Sequence, residues 1–426
     1  MKLTTKKWLG AALVAGLTFS LVGCASSEDA GSADEINVLS LYKKTGDVPE
    51  AAAINLAIDN FTAATGIKVN FTEAGENLGE EYEATVLAGE APDVIIVNLF
   101  DKSSGWVENG AAIPVNDLLV EWGLDTVIKE AAVKDWTNKN GDVQGFAYQG
   151  FTWPIWYNTA LLEEAGVAAV PKTSDELVAA SEKLREAGIG PMVVGGSDWS
   201  GNKLFLQIIQ AFMPSEEAAE VFTNGGYCAS PNAMKGIDEF IKLRDGGVFV
   251  DGVEGYTADL MNAAYYDGKA AIMPAGSWAM PGTPEEIAAV TTLGGLPIPA
   301  GSVFTKPTAF EGNTGVGFFI SPNGQKKLGA VKDFILSFYS ADVIGKFVSE
   351  VSVIPTTTID ISGALGTASP LLNQAVTSLQ QGAEFAVFPD GYVGTRGDAL
   401  TKASALAYGA GTSAAAICEA ADEAYN

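Results

Sequence analysis

The chain's 426 residues exceed the roughly 250–300 at which one hydrophobic core ordinarily divides, so two lobes are expected; 47% hydrophobic and 18% charged residues describe a folded globule. Lys plus Arg number 25 and Asp plus Glu 52, a formal charge of -27 that repels phosphate backbones and anionic membrane surfaces and argues against a nucleic-acid partner. Histidine is absent, which removes the usual general base and the commonest zinc ligand, so no metal and no cofactor are expected.

At the N-terminus Lys2, Lys6 and Lys7 precede WLGAALVAGLTFSLVG, an apolar run shorter than the ~20 residues of a spanning helix, and residues 1–23 read as an export signal. The run ends in Leu21-Val22-Gly23-Cys24, which resembles the bacterial lipobox, where the cysteine is acylated and becomes the first mature residue. Residues 24–35 are small and polar and read as a flexible tether with a reach of about 17–20 Å. The remaining cysteines, Cys228 and Cys418, leave two readings open: a disulfide suited to an exported protein, or two buried free thiols, of which the second is preferred.

From residue 36 onward strand and helix patterns alternate. INVLSLY reads as a strand, and EAAAINLAIDNFTAATG as a helix with Ile54, Ile58 and Phe61 on one face and Gly66 at its C-cap. IKVNFTE alternates as a strand, EEYEATVLAGE returns as a helix, and APDVIIVN is an apolar run of the kind buried in a parallel sheet. Ligands of such sheets bind beyond the carboxyl ends of the strands, which points to residues 42–45, 73–77 and 98–102.

Residues 145–157 read as extended, since Pro154 cannot continue a helix and its neighbours are aromatic or β-branched. Asn158 caps the next helix, and PKTSDELVAASEKLREAGI carries a capping box of Thr173 and Glu176 with an apolar face of Leu177, Ala180 and Leu184. Helical patterns follow at 204–212, 233–244 and 258–266, then a strand in AAIMPAG, a strand in GVGFFIS and a helix over 326–339.

The succession FTAATGIKVNF, GEAPDVIIVN, GWVENGAAIPV, YNTALLEEAG, PKTSDELVAASEKLREAGIGPM, YDGKAAIMPAGSW and GFFISPN resembles the extracellular solute-binding proteins of bacterial ABC importers, and within them the maltose-type, carbohydrate-binding branch. The resemblance covers residues 36–426 and implies an α/β fold of two periplasmic-binding-protein-like lobes with a hinge and an inter-lobe cleft. It places lobe 1 at 36–148 plus 316–354 and lobe 2 at 149–315 plus 355–426. Chain crossings fall near 149–152, 311–315 and 353–357.

By this resemblance Trp278 in GSW is the stacking platform for a sugar, with Trp199 and Tyr392 at other ligand-facing loops. Phe151 and Trp153 share a strand face beside the cleft, and aromatic faces suit the C–H patches of a pyranose. Candidates for hydroxyl contacts are Glu73, Asn98, Asp101, Gln149, Asp198 and Asp390, whose carboxylates and amides pair with vicinal hydroxyls. The expected function is a lipid-anchored monomer, attached through Cys24 on the outer face of the cytoplasmic membrane, that delivers a mono- or oligosaccharide to an ABC permease. The sequence does not specify which sugar.

Two alternatives accompany this reading. The acidic balance suits a cation such as a polyamine held between aromatic walls. A glycosidase working through two carboxylates is the enzyme alternative. Other enzyme signatures fail: there is no phosphate loop and no nucleophile elbow, and the adjacent SLYK and KTG at 40–46 are too close together to act as the separated motifs of serine enzymes.

Overall fold

The computed structural model describes residues 34–75 and 77–426, and all of their side chains except that of Asp101; the export signal, Cys24 and most of the tether lie outside the described residues. The first elements are β1 (Glu35–Ser40), α1 (Ala51–Thr65), β2 (Lys68–Glu73), α2 (Leu78–Ala88) and β3 (Val94–Val97). Helix α1 buries Ala53, Ile54, Ala57 and Phe61, and it stops at Gly66, whose φ of 73° permits the amide to return to Thr62 O at 2.8 Å. Strands β2 and β3 pair parallel with β1, and β3 is buried along its whole length, as its continuous apolar run requires.

The chain then forms β4 (Phe146–Trp153) and, after Pro154 alone, β5 (Ile155–Asn158). Proline donates no ladder hydrogen bond, and here it marks the change of sheet. Phe151, Thr152 and Trp153 of β4 pair with residues 310–312, whereas Ile155 pairs with Pro274 and Gly294. Later strands are β6 (Gly190–Met192), β7 (Ala270–Pro274), β8 (Thr291–Gly294), β9 (Thr308–Ile320), β10 (Ile354–Pro355) and β11 (Glu384–Phe385).

They build a seven-stranded sheet of order β10-β4-β9-β3-β1-β2, with β11 beside β9, and a four-stranded sheet of order β6-β7-β5-β8. The fold is therefore α/β with two sheets and helices packed around them. The three expected crossings lie side by side in the larger sheet: Pro355 pairs with Gln149, Ile354 with Gly150 and Phe151 with Gly312. The ladder is irregular here, with register shifts on both sides of Gln149. Glycine is required at 312, where a Cβ would sit 2.8 Å from the Phe151 ring.

Around the smaller sheet, local signals set the helices. Asn158 accepts from Leu161 N at 3.1 Å, and Thr173 and Glu176 complete a reciprocal capping box on the helix Ser174–Glu186, which buries Leu177, Ala180 and Leu184. The free-thiol preference for Cys228 and Cys418 is corrected, since the two are disulfide-bonded with Cα atoms 5.0 Å apart. The missing signal was long-range. Asp422, one turn beyond Cys418, accepts from the amides of Gly226, Tyr227 and Cys228 at 2.7, 2.7 and 3.1 Å and draws the two segments together.

Candidate functional site

Side chains alternate along a strand, so Phe151 and Trp153 emerge on the same face of β4. Both are buried. Against Trp153 lie Trp278, from the turn after β7, and Trp199, the first residue of the helix Trp199–Ile209; each ring centroid is 5.4 Å from that of Trp153. Trp199 and Trp278 are themselves 5.9 Å apart with their planes 47° from each other. These three indoles touch. They form a wall in which Trp153 is the backing and Trp199 and Trp278, 37% and 42% exposed, present ring surface to solvent.

Gly276 shapes this wall, because a Cβ there would meet the Trp278 ring at 2.3 Å. Only glycine lets the indole fold back over its own strand end. Trp153 differs from the other fully buried tryptophans. Trp106, Trp136 and Trp156 donate their indole N–H to Glu83, the Asn313 carbonyl and the Ala275 carbonyl, while Trp153 Nε1 and the neighbouring Thr152 Oγ1 are buried with no hydrogen-bond partner among the described residues.

The wall continues from Phe151 to Phe388 and Phe100, two phenylalanines that the sequence pattern did not single out. Phe151 lies 6.0 Å from Trp278 and 4.7 Å from Phe388, and Phe100, just beyond β3, lies 6.2 Å from Phe151 and 5.8 Å from Phe388. Lys203 was missed as well. Its Nζ is 5.2–5.5 Å from the ring centroids of Phe388, Trp199 and Phe100, and 2.5 Å from Asp390 Oδ2. The available signal was a lone charge in the helix segment 200–209, in which every residue is buried.

The expected polar contacts divide. Asp390 joins the aromatic wall through Lys203, and Tyr392 is exposed on the same short helix, Asp390–Val393. Gln149 is buried and accepts from the Tyr42 hydroxyl, whose pKa burial pushes well above the ordinary phenol value. Asp198 Oδ1 accepts from Ser200 N at 2.9 Å and Ser200 Oγ at 2.7 Å, and its Oδ2 accepts at 2.6 Å from the amide of Ala258, the first residue of a separate helix. These bonds make Asp198 the N-cap of the helix Trp199–Ile209.

Glu73 is also held by its neighbours. The Thr45 hydroxyl and the amides of Lys44 and Thr45 donate to its carboxylate and hold its pKa below the ordinary value. It ends the edge strand β2, four strand positions from β4, or about 19 Å across the sheet, and is not brought to the aromatic wall. Asn98 is half-buried beyond β3, and its carbonyl accepts from Ser103 Oγ at 2.8 Å. Asp101 opens the short helical turn Asp101–Gly105, and its side chain lies outside the described residues.

The crystal structure of a probable secreted solute-binding lipoprotein from Streptomyces coelicolor is 36% identical, with a TM-score of 0.80 over 94% of this chain and 99% of that one. A chitin oligosaccharide binding protein, 23% identical, shares the fold with a TM-score of 0.80 over 92% of this chain and 98% of its own. Among curated relatives, a probable sugar-binding periplasmic protein of Rhizobium meliloti is 26% identical over 265 residues, 59% of this chain and 60% of that protein. The chain thus spans about 60% of the length of this relative. The profile of the bacterial extracellular solute-binding proteins matches residues 45–343, more than half of the sequence, and the chain belongs to that family.

Proposed function

We propose that this protein captures a carbohydrate, a mono- or oligosaccharide, outside the cell and delivers it to the permease of an ABC importer. The observation that carries this reading is the pair of partly exposed indoles, Trp199 and Trp278, braced by the buried Trp153. A braced ring face costs little further ordering when a sugar stacks on it, and the tilt between the two suits a guest lying along the wall rather than between parallel plates. Trp278, Trp199, Tyr392 and Asp390 are the contact residues, with Phe151 and Trp153 behind them. The sugar-binding relatives support the same class of ligand. The lipobox supports a lipid anchor at Cys24, with the binding domain held as a monomer at the outer face of the membrane.

The lobes of this reading are 36–148 plus 316–354 and 149–315 plus 355–426, and they turn about the paired segments of β4, β9 and β10. Closure is a population shift, so the sugar contacts both lobes and its differential contact energy sets the bias. A thermal-shift screen against a carbohydrate panel tests the proposal. A true ligand at 100 times its Kd adds about 2.7 kcal/mol and raises Tm, whereas a panel without a single shift removes carbohydrates as the ligand class. Recovery of the sugar intact after long incubation is expected, and its cleavage would favour the glycosidase.

A further inference from the structure

Lys203 follows Trp199 by one helical turn and is 6% exposed. Three rings from separate stretches of chain, Phe100, Trp199 and Phe388, surround its Nζ at 5.2–5.5 Å. An ammonium carries three N–H donors. Asp390 Oδ2 takes one at 2.5 Å, and no second acceptor reaches Nζ among the described residues. The other oxygen of Asp390 accepts no hydrogen bond among the described residues and keeps access to solvent, the side chain being 14% exposed.

A donor and an acceptor without protein partners beside a solvent-accessible edge are open to the hydroxyls of a ligand. Here the unused valences belong to adjacent groups of opposite kind, a donor and an acceptor, at the edge of a stacking wall. A vicinal diol complements them. One hydroxyl oxygen accepts from Lys203 Nζ while its neighbour donates to Asp390 Oδ1, and the pyranose face rests on the indoles. A cationic guest meets the opposite situation, because the protein's own ammonium already occupies the ring basket.

We propose that Lys203 and Asp390 act as one unit that reads a vicinal diol of the bound carbohydrate, and that the Lys203 ammonium keeps cationic solutes from the aromatic wall. This rests on the carbohydrate reading above. The test uses the folded protein and the sugar that gives the largest thermal shift, with affinities measured by calorimetry. Lys203→Met and Asp390→Asn are each expected to lose more than tenfold in affinity and to lower the ligand-free Tm, since each leaves a buried charge unpaired. The double variant separates structure from recognition: its ligand-free Tm recovers, but its affinity does not.

A deoxy analogue lacking one hydroxyl of the diol is expected to bind the wild type more than tenfold more weakly than the parent sugar, yet to bind the double variant as well as the parent does. Butylammonium is expected to bind Lys203→Ala and not the wild type. A double variant that binds the parent sugar within twofold of the wild type overturns this proposal alone, leaving Lys203–Asp390 a structural pair. A wild type that binds no carbohydrate overturns both readings.

Discussion

The polar loop at the end of β2 and the aromatic wall beside β4 contain equally conspicuous residues and use them differently. Around Glu73, hydrogen-bonding capacity is turned inward: the carboxylate collects the amides of Lys44 and Thr45 and the Thr45 hydroxyl, and so fixes a loop. Around Trp278, two indoles are exposed, and among the described residues the Trp153 N–H and Thr152 hydroxyl have no partner and the Lys203 ammonium a single acceptor. Residue type alone does not distinguish these cases. The rings left open to solvent do, since buried polar atoms without partners among the described residues also occur away from the wall, at Gln144, Ser174 and Glu239.

The comparison breaks most visibly at Trp153. Trp153→Ala removes the backing of the wall and is expected to cost about 3–5 kcal/mol, read by chemical denaturation; a loss under about 1 kcal/mol would mean the wall does not rest on it. Trp278→Ala is expected to leave the fold intact and to weaken sugar binding more than tenfold, about 1.4 kcal/mol or above by calorimetry. Unchanged affinity would remove Trp278 from the site. Asp198→Ala sharpens the contrast, since loss of a cap is expected to lower stability by about 1 kcal/mol.

The smallest effect concerns acid. Hydrogen bonds from Thr45, from the Lys172 amide and from the Thr305 amide lead the causes that hold Glu73, Glu176 and Glu384 below the ordinary carboxylate pKa. Their stabilisation is present above an unfolded value of about 4.3 and is lost as pH falls through the lower folded values. Tm is expected to be flat from about pH 8 to 5 and to fall below about pH 4, and Glu73→Gln is expected to lessen that fall while leaving sugar affinity within twofold. A Glu73→Gln protein with tenfold weaker binding would place the β2 loop in the site after all.

The fold was legible wherever its cause is local. The Gly66 stop, the Thr173–Glu176 box and the helix Ala258–Tyr266 follow from residues within a few positions of each other. The candidate site was half legible: the tryptophans that meet in the wall stand out by type and motif. Lys203 was not singled out, since its pairing with Asp390 spans 187 positions, and Phe388 and Phe100 gained meaning only when three separate stretches met. The disulfide stayed ambiguous for the same reason, its cysteines being 190 positions apart.

The single proline between β4 and β5 carries a mechanical implication. One residue spans only about 3.3 Å even when extended, so the two ladders have no slack with which to slide apart at this point. Trp153 is thus paired in the larger ladder one residue short of the smaller one, and the base of the wall is tied to both sheets.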